Sequence, residues 1–105
     1  MRRLDVCAAA ELPPGTARVV HEGPVAIGVY NLAGQLYALE DRCSHDAGPL
    51  ADGELDAEQG IAVCPRHGAR IDIRSGQPLT LPAVLPVATF PVAVEAGRVV
   101  IELDT

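Results

Sequence analysis

An all-β fold is what the sequence predicts, and three observations predict it. Short, β-branched, partly alternating segments separated by turn residues recur at both ends of the chain. No segment carries a helical apolar stripe with a cap at each end. Gly, Pro and Asp concentrate in the middle, from Asp41 to Pro82, a composition suited to loops and short strands held on a scaffold.

The elements follow in order. "MRRLDVCAAAELPPG" opens with two arginines, but Asp5 and Glu11 interrupt any apolar run, so it is not read as a signal peptide. "AAAEL" (8–12) has helix formers that "PPG" stops at once. Strands are expected at 17–22, 25–30 and 35–40, with turns at "EGP" (22–24) and "NLAG" (31–34). Two more are expected at 87–96 and 98–103, joined by a hairpin turn at "EAG" (95–97).

Composition narrows the function. With 105 residues the chain suits one domain with a modest core. The net charge of −6 argues against nucleic-acid binding, which needs a basic face. No apolar run is long enough to span a bilayer, and no membrane partner is expected. Three cysteines, an odd number, do not make a disulfide framework, and the expected location is cytoplasmic. Cys7 reads as a small buried hydrophobe, and His21 as an ordinary strand histidine.

The chemistry lies in the middle. "AVCPRHGARID" (62–72) carries Cys64 and His67, and "DRCSHDAGP" (41–49) carries Cys43 and His45. The pattern is Cys43-x-His45, eighteen residues, then Cys64-x-x-His67. A zinc site could use two Cys and two His, but zinc modules usually pair like with like and place histidines on a helix. A cysteine nucleophile would use one pair and leave the other unexplained. Two mixed loops fit a two-iron cluster with unequal irons, one taking both thiolates and the other both imidazoles. Gly48 and Gly68 would let backbone amides approach the sulfides, and Pro49 and Pro65 would stiffen the loops.

These two boxes, together with "PLADG", "LPA" and "FPVAVEAGRVVIEL" in the same order, resemble the Rieske iron–sulfur proteins. More narrowly, they resemble the Rieske-type ferredoxins of bacterial ring-hydroxylating dioxygenase systems. The resemblance implies an antiparallel β-sandwich base (1–40 and 83–105) with a smaller cluster-binding subdomain (about 41–82), together one domain. It implies one Rieske-type [2Fe–2S] cluster per chain, with Cys43 and Cys64 on the buried iron and His45 and His67 on the exposed one. It further implies a monomeric one-electron carrier, not itself an enzyme, loaded by a flavin-dependent ferredoxin reductase and unloaded by a terminal oxygenase. Arg42, Arg66 and Arg70 flank the exposed histidine edge and read as ordinary solvated charges, with a role in docking such partners as the alternative.

The chain differs from the family pattern in a slightly longer gap between boxes, read as an extended tip around "DAEQG" (56–60), in Arg66, and in Ile71 where an aromatic is common. High-potential relatives add a cysteine to each box and hydroxyl donors after the second. Gly48, Arg66, Ala69 and Ile71 stand at those places here, which implies the low end of the span of about −150 to +300 mV. Two other readings are the Rieske-like small subunit of an assimilatory nitrite reductase, some of which lose the ligands that are all kept here, and a structural zinc module.

Overall fold

The computed structural model describes residues 2–23, 25–41, 53–64, 68–80 and 86–103. Among the described residues, ten strands form three antiparallel sheets, and the one helical element is a single 3₁₀ turn, Ala9–Glu11. Among the described residues no helix is long and apolar enough to cross a membrane.

The four-stranded sheet lies at the centre, in the order β2 (Ala17–Glu22), β3 (Val25–Leu32), β4 (Gln35–Glu40), β8 (Thr89–Phe90). The period-2 alternation of β3 and β4 divides their side chains between two cores. Ile27, Val29 and Ala38 meet Cys7, Leu12, Val99, Ile101 and Leu103 on one side. Tyr30, Leu32 and Leu39 meet Ala62, Cys64, Ala69, Ile71, Ile73 and Val87 on the other. Every residue from Ile27 to Leu32 is therefore buried.

The first core is closed by the sheet β1 (Arg2–Ala8), β10 (Arg98–Leu103), β9 (Val92–Glu95). The second is closed by the sheet β5 (Leu55–Asp56), β6 (Ile61–Val63), β7 (Arg70–Asp72). Cys7 is 2% exposed in the first core, as expected of a small hydrophobe, and His21 is exposed on β2.

Strands β2, β4 and β10 fall at the expected limits. Strand β3 runs two residues further than expected, because the turn after it needs only Ala33 and Gly34, at φ 55° and 92°. The single strand expected at 87–96 is two. Pro91 has no N–H to donate, and the chain changes sheets there: β8 pairs with β4, and β9 with β10. Strand β1 is absent from the sequence reading. A bulge between Asp5 and Cys7 breaks its alternation, so Leu4, Val6 and Cys7 all reach the first core. The expected tip at 56–60 is the turn of the β5–β6 hairpin, closed by Gly60 N–H donating to Asp56 O at 2.8 Å.

One polar side chain ties the N-terminal segment to the central hairpin. Asn31 is 8% exposed; its Nδ2 donates to Leu12 O at 2.8 Å, and its Oδ1 accepts from Gly34 N–H at 2.8 Å. Asn31→Ala removes both bonds and leaves a carbonyl near Leu12 without its donor, so it should cost about 1–3 kcal/mol in urea unfolding. The opposite change is expected at the hairpin turns, where Ala33 and Ala96 hold φ 55° and 51°. A left-handed backbone costs alanine roughly 1–2 kcal/mol, and asparagine tolerates it better. Ala33→Asn with Ala96→Asn should raise the thermal midpoint by about 4–8 °C, the shift expected for roughly 1 kcal/mol in a domain of this size.

Candidate metal centre

The second box is the loop of the β6–β7 hairpin. Val63 pairs with Arg70. Beyond that pair, Cys64 N–H donates to Ala69 O at 2.7 Å, and Gly68 N–H donates to Cys64 O at 3.0 Å. Gly68 has φ 72°, a left-handed backbone that asks for glycine. The strand leaving the loop is braced from outside. Leu79 N–H donates to Arg70 O at 2.7 Å, and Arg70 N–H donates to Thr80 Oγ1 at 2.9 Å.

The loop passes from core to solvent within a few residues. Cys64 is 2% exposed and is a free thiol, whereas Gly68 is exposed. His67 and Pro65 lie outside the described residues, as does Arg66. The first box starts directly after β4. Glu40 N–H donates to Ala88 O at 2.9 Å and Asp41 N–H to Ala26 O at 2.8 Å, which anchors the chain where the box begins. Cys43 and His45 lie outside the described residues, with Arg42, Gly48 and Pro49. Pro82 does too. Of the four expected ligands the structure describes Cys64 alone.

The surroundings of Cys64 suit a metal-bound thiolate. A free thiol buried among apolar side chains is a poor nucleophile. A cluster whose charges nearly cancel can occupy such a place without a large desolvation cost. Ala69 and Ile71, both 0% exposed, add no polar side-chain atom. Cys7 belongs to the core on the opposite face of the central sheet and does not join this group. Arg70 is half-exposed beside the loop, 4.0 Å from the Asp56 carboxylate.

Two groups that the sequence reading did not single out border the site. Asp41 is 8% exposed at the foot of the first box. Tyr30 is 1% exposed, and its hydroxyl has no hydrogen-bond partner among the described residues. Burial raises the Tyr30 phenol above its ordinary range, and the Asp41 carboxylate adds to that rise. It remains a neutral donor at any physiological pH. The signal for Tyr30 was its spacing from Gly28: the two share a face of β3, and a Cβ on Gly28 would stand 3.2 Å from the tyrosine oxygen.

The chain is similar to known proteins along nearly its whole length. The family model for the Rieske [2Fe–2S] domain matches residues 2–91. The 3-phenylpropionate/cinnamic acid dioxygenase ferredoxin subunit of Escherichia coli (strain K12) is 38% identical over 103 residues, spanning 98% of this chain and 95% of that protein. The ferredoxin of carbazole 1,9a-dioxygenase from Nocardioides aromaticivorans IC177 superposes with a TM-score of 0.90 at 30% identity, covering 96% of this chain and 97% of that one. A chain from the complex of reduced oxygenase and oxidised ferredoxin in carbazole 1,9a-dioxygenase gives 0.89 at 36% identity, with 97% of each chain covered. A hairpin that buries one box cysteine beneath an all-β base, and a match running through both boxes, have one reading: this chain belongs to the Rieske [2Fe–2S] domain family.

Proposed function

We propose that this protein is the ferredoxin of an aromatic-ring dioxygenase system, taking single electrons from a flavin-dependent reductase and delivering them to a terminal oxygenase. As a family member it is an electron carrier with one Rieske-type [2Fe–2S] cluster per chain. The dioxygenase assignment draws on relatives that are named dioxygenase ferredoxin subunits and span nearly the whole chain. That naming weighs against the small subunit of a nitrite reductase, and the family match weighs against a zinc module. The working form is a cytoplasmic monomer.

Cys43, His45, Cys64 and His67 hold the cluster in this reading. The carrying observation is the second-box loop, which runs from buried Cys64 to exposed Gly68. Such a loop suits a thiolate-bound iron inside and an imidazole-bound iron at the surface. When bound, the cluster supplies one-electron redox chemistry at a potential raised by histidine ligation.

The chain's own part is to hold the loops still and to govern access. The Cys64–Ala69 and Gly68–Cys64 backbone bonds and the Thr80 brace fix the second loop. The apolar core under it keeps water from the buried side. The three-stranded sheet β5–β7 draws all its strands from 55–72, whereas the other two sheets draw theirs from 2–40 and 89–103. This supports a division into a base (1–40 and 83–105) and a cluster-binding unit (about 41–82) within one domain. The potential lies at the low end of the Rieske span, because Ala69 and Ile71 offer no hydroxyl to the cluster.

Protein purified without oxygen should carry two irons and two sulfides per chain and, after reduction, give an EPR signal of low average g. Cys64→Ser should lose the cluster. Stoichiometric zinc without sulfide would sink the assignment. Electron delivery to candidate oxygenases, with a flavin reductase supplying electrons, tests the dioxygenase role. The potential has its own test in Ala69→Ser combined with Ile71→Tyr. A hydrogen bond to a charged group is worth about 1.5–3 kcal/mol, of which roughly half distinguishes the oxidation states. At roughly 59 mV per tenfold, the midpoint should rise by some tens of millivolts, up to about 100 mV, in film voltammetry.

A further inference from the structure

The Tyr30 hydroxyl is a polar atom that the fold leaves unexplained. It is buried with no hydrogen-bond partner among the described residues. Such a group costs about 1–3 kcal/mol, and phenylalanine would pack the same ring without that cost. Unpartnered polar atoms this deep are rare and point to a partner that arrives with a ligand.

The surroundings narrow that partner. Among the described residues, the buried side chains sharing its core, including Leu39, Ala62, Ala69, Ile71 and Val87, have no acceptor; Tyr37, partly buried against that core, is not bonded to it, and Cys64, in the same core, has a sulfur. Asp41, two residues before Cys43, is close enough for its charge to act on the phenol, yet it is not bonded to the hydroxyl. Gly28 lets the ring lie directly over the strand, since a Cβ there would stand 3.2 Å from the hydroxyl oxygen. The phenol is thus bracketed by the foot of the first box and the core that holds the second.

Resting on the cluster assignment made above, we propose that Tyr30 donates a hydrogen bond from its buried hydroxyl to a sulfur of the bound cluster, a sulfide or a cysteine thiolate, and so tunes its potential. The reduced cluster carries one more negative charge and accepts the bond more strongly, so the donor favours reduction. Tyr30 comes from the central sheet, opposite the hairpin, and partly offsets the missing hydroxyls at Ala69 and Ile71.

The test uses cluster-loaded wild type, Tyr30→Phe, and protein carrying 3-fluorotyrosine at position 30, a stronger donor of nearly the same shape. Midpoint potentials come from film voltammetry, and the H₂O-to-D₂O shift of the Fe–S stretching modes from resonance Raman. Tyr30→Phe should shift the oxidised-to-reduced ratio at fixed potential about three- to tenfold toward oxidised, equivalent to roughly 28–59 mV. It should also lose part of the deuterium shift, while the fluorinated protein moves the potential upward. An unchanged deuterium shift in Tyr30→Phe, or a potential that does not rise with fluorination, would overturn the proposal. If Tyr30→Phe does not retain its cluster, the direction of the fluorinated protein's shift decides. Wild type without iron and sulfide would instead overturn the cluster assignment itself.

Discussion

Strand β3 is buried on both faces, and the rest of the molecule is arranged around that fact. A strand whose alternate residues feed two cores fixes the distance between them, because successive side chains leave the backbone in opposite directions. Ile27 and Val29 hold the base sheet; Tyr30 and Leu32 hold the sheet that carries the second box. The box loop is therefore positioned by packing against the middle of the molecule and not by its own short hairpin, whose three residues per strand would be marginal alone. For an electron carrier this has a direct use. A site that does not reorganise when charge arrives loses little driving force, and Cys64 and Ala69, at the two ends of the loop, sit in a close-packed core with little freedom to move.

The same arrangement sets the electrostatics. The face of β3 toward the boxes is apolar apart from one hydroxyl, and the hairpin opposite contributes Ala69 and Ile71. A low-polarity layer around Cys64 does little to stabilise added negative charge, which supports the low potential proposed above. Other charged residues pair on the base. Arg3 with Glu95 and Arg98 with Asp5 pair across the exposed side of the base sheet, where ion pairs are worth little to stability.

Much of the architecture was legible in the residues. Strands β2, β4 and β10 follow from alternation and turn chemistry because each lies in a regular antiparallel pair with one hairpin neighbour. What was not legible depends on partners distant in sequence. Strand β1 exists because it pairs with β10, some ninety residues away, and its bulge hides the period that would have announced it. The break at Pro91 needs two sheets to be visible as a change of sheet. For the site, the spacing of Cys43, His45, Cys64 and His67 pointed to a mixed-ligand centre, since metal chemistry dictates which residue types recur at which intervals; of the four, the structure describes only Cys64, in the core beneath the second box.

The sequence by itself determined the fold class, the family and the ligand candidates, because period, turn residues and box spacing are local properties of a chain. Tertiary structure alone decided that Cys7 and Cys64 lie on opposite faces of one sheet, that Cys64 is buried in an apolar layer, and that Tyr30 brings into that same layer a hydroxyl with no hydrogen-bond partner among the described residues. Burial and hydrogen-bond satisfaction are sums over all neighbours of an atom. No local pattern contains them, so a tyrosine that reads as one more strand residue becomes distinctive only when everything packed around it is known.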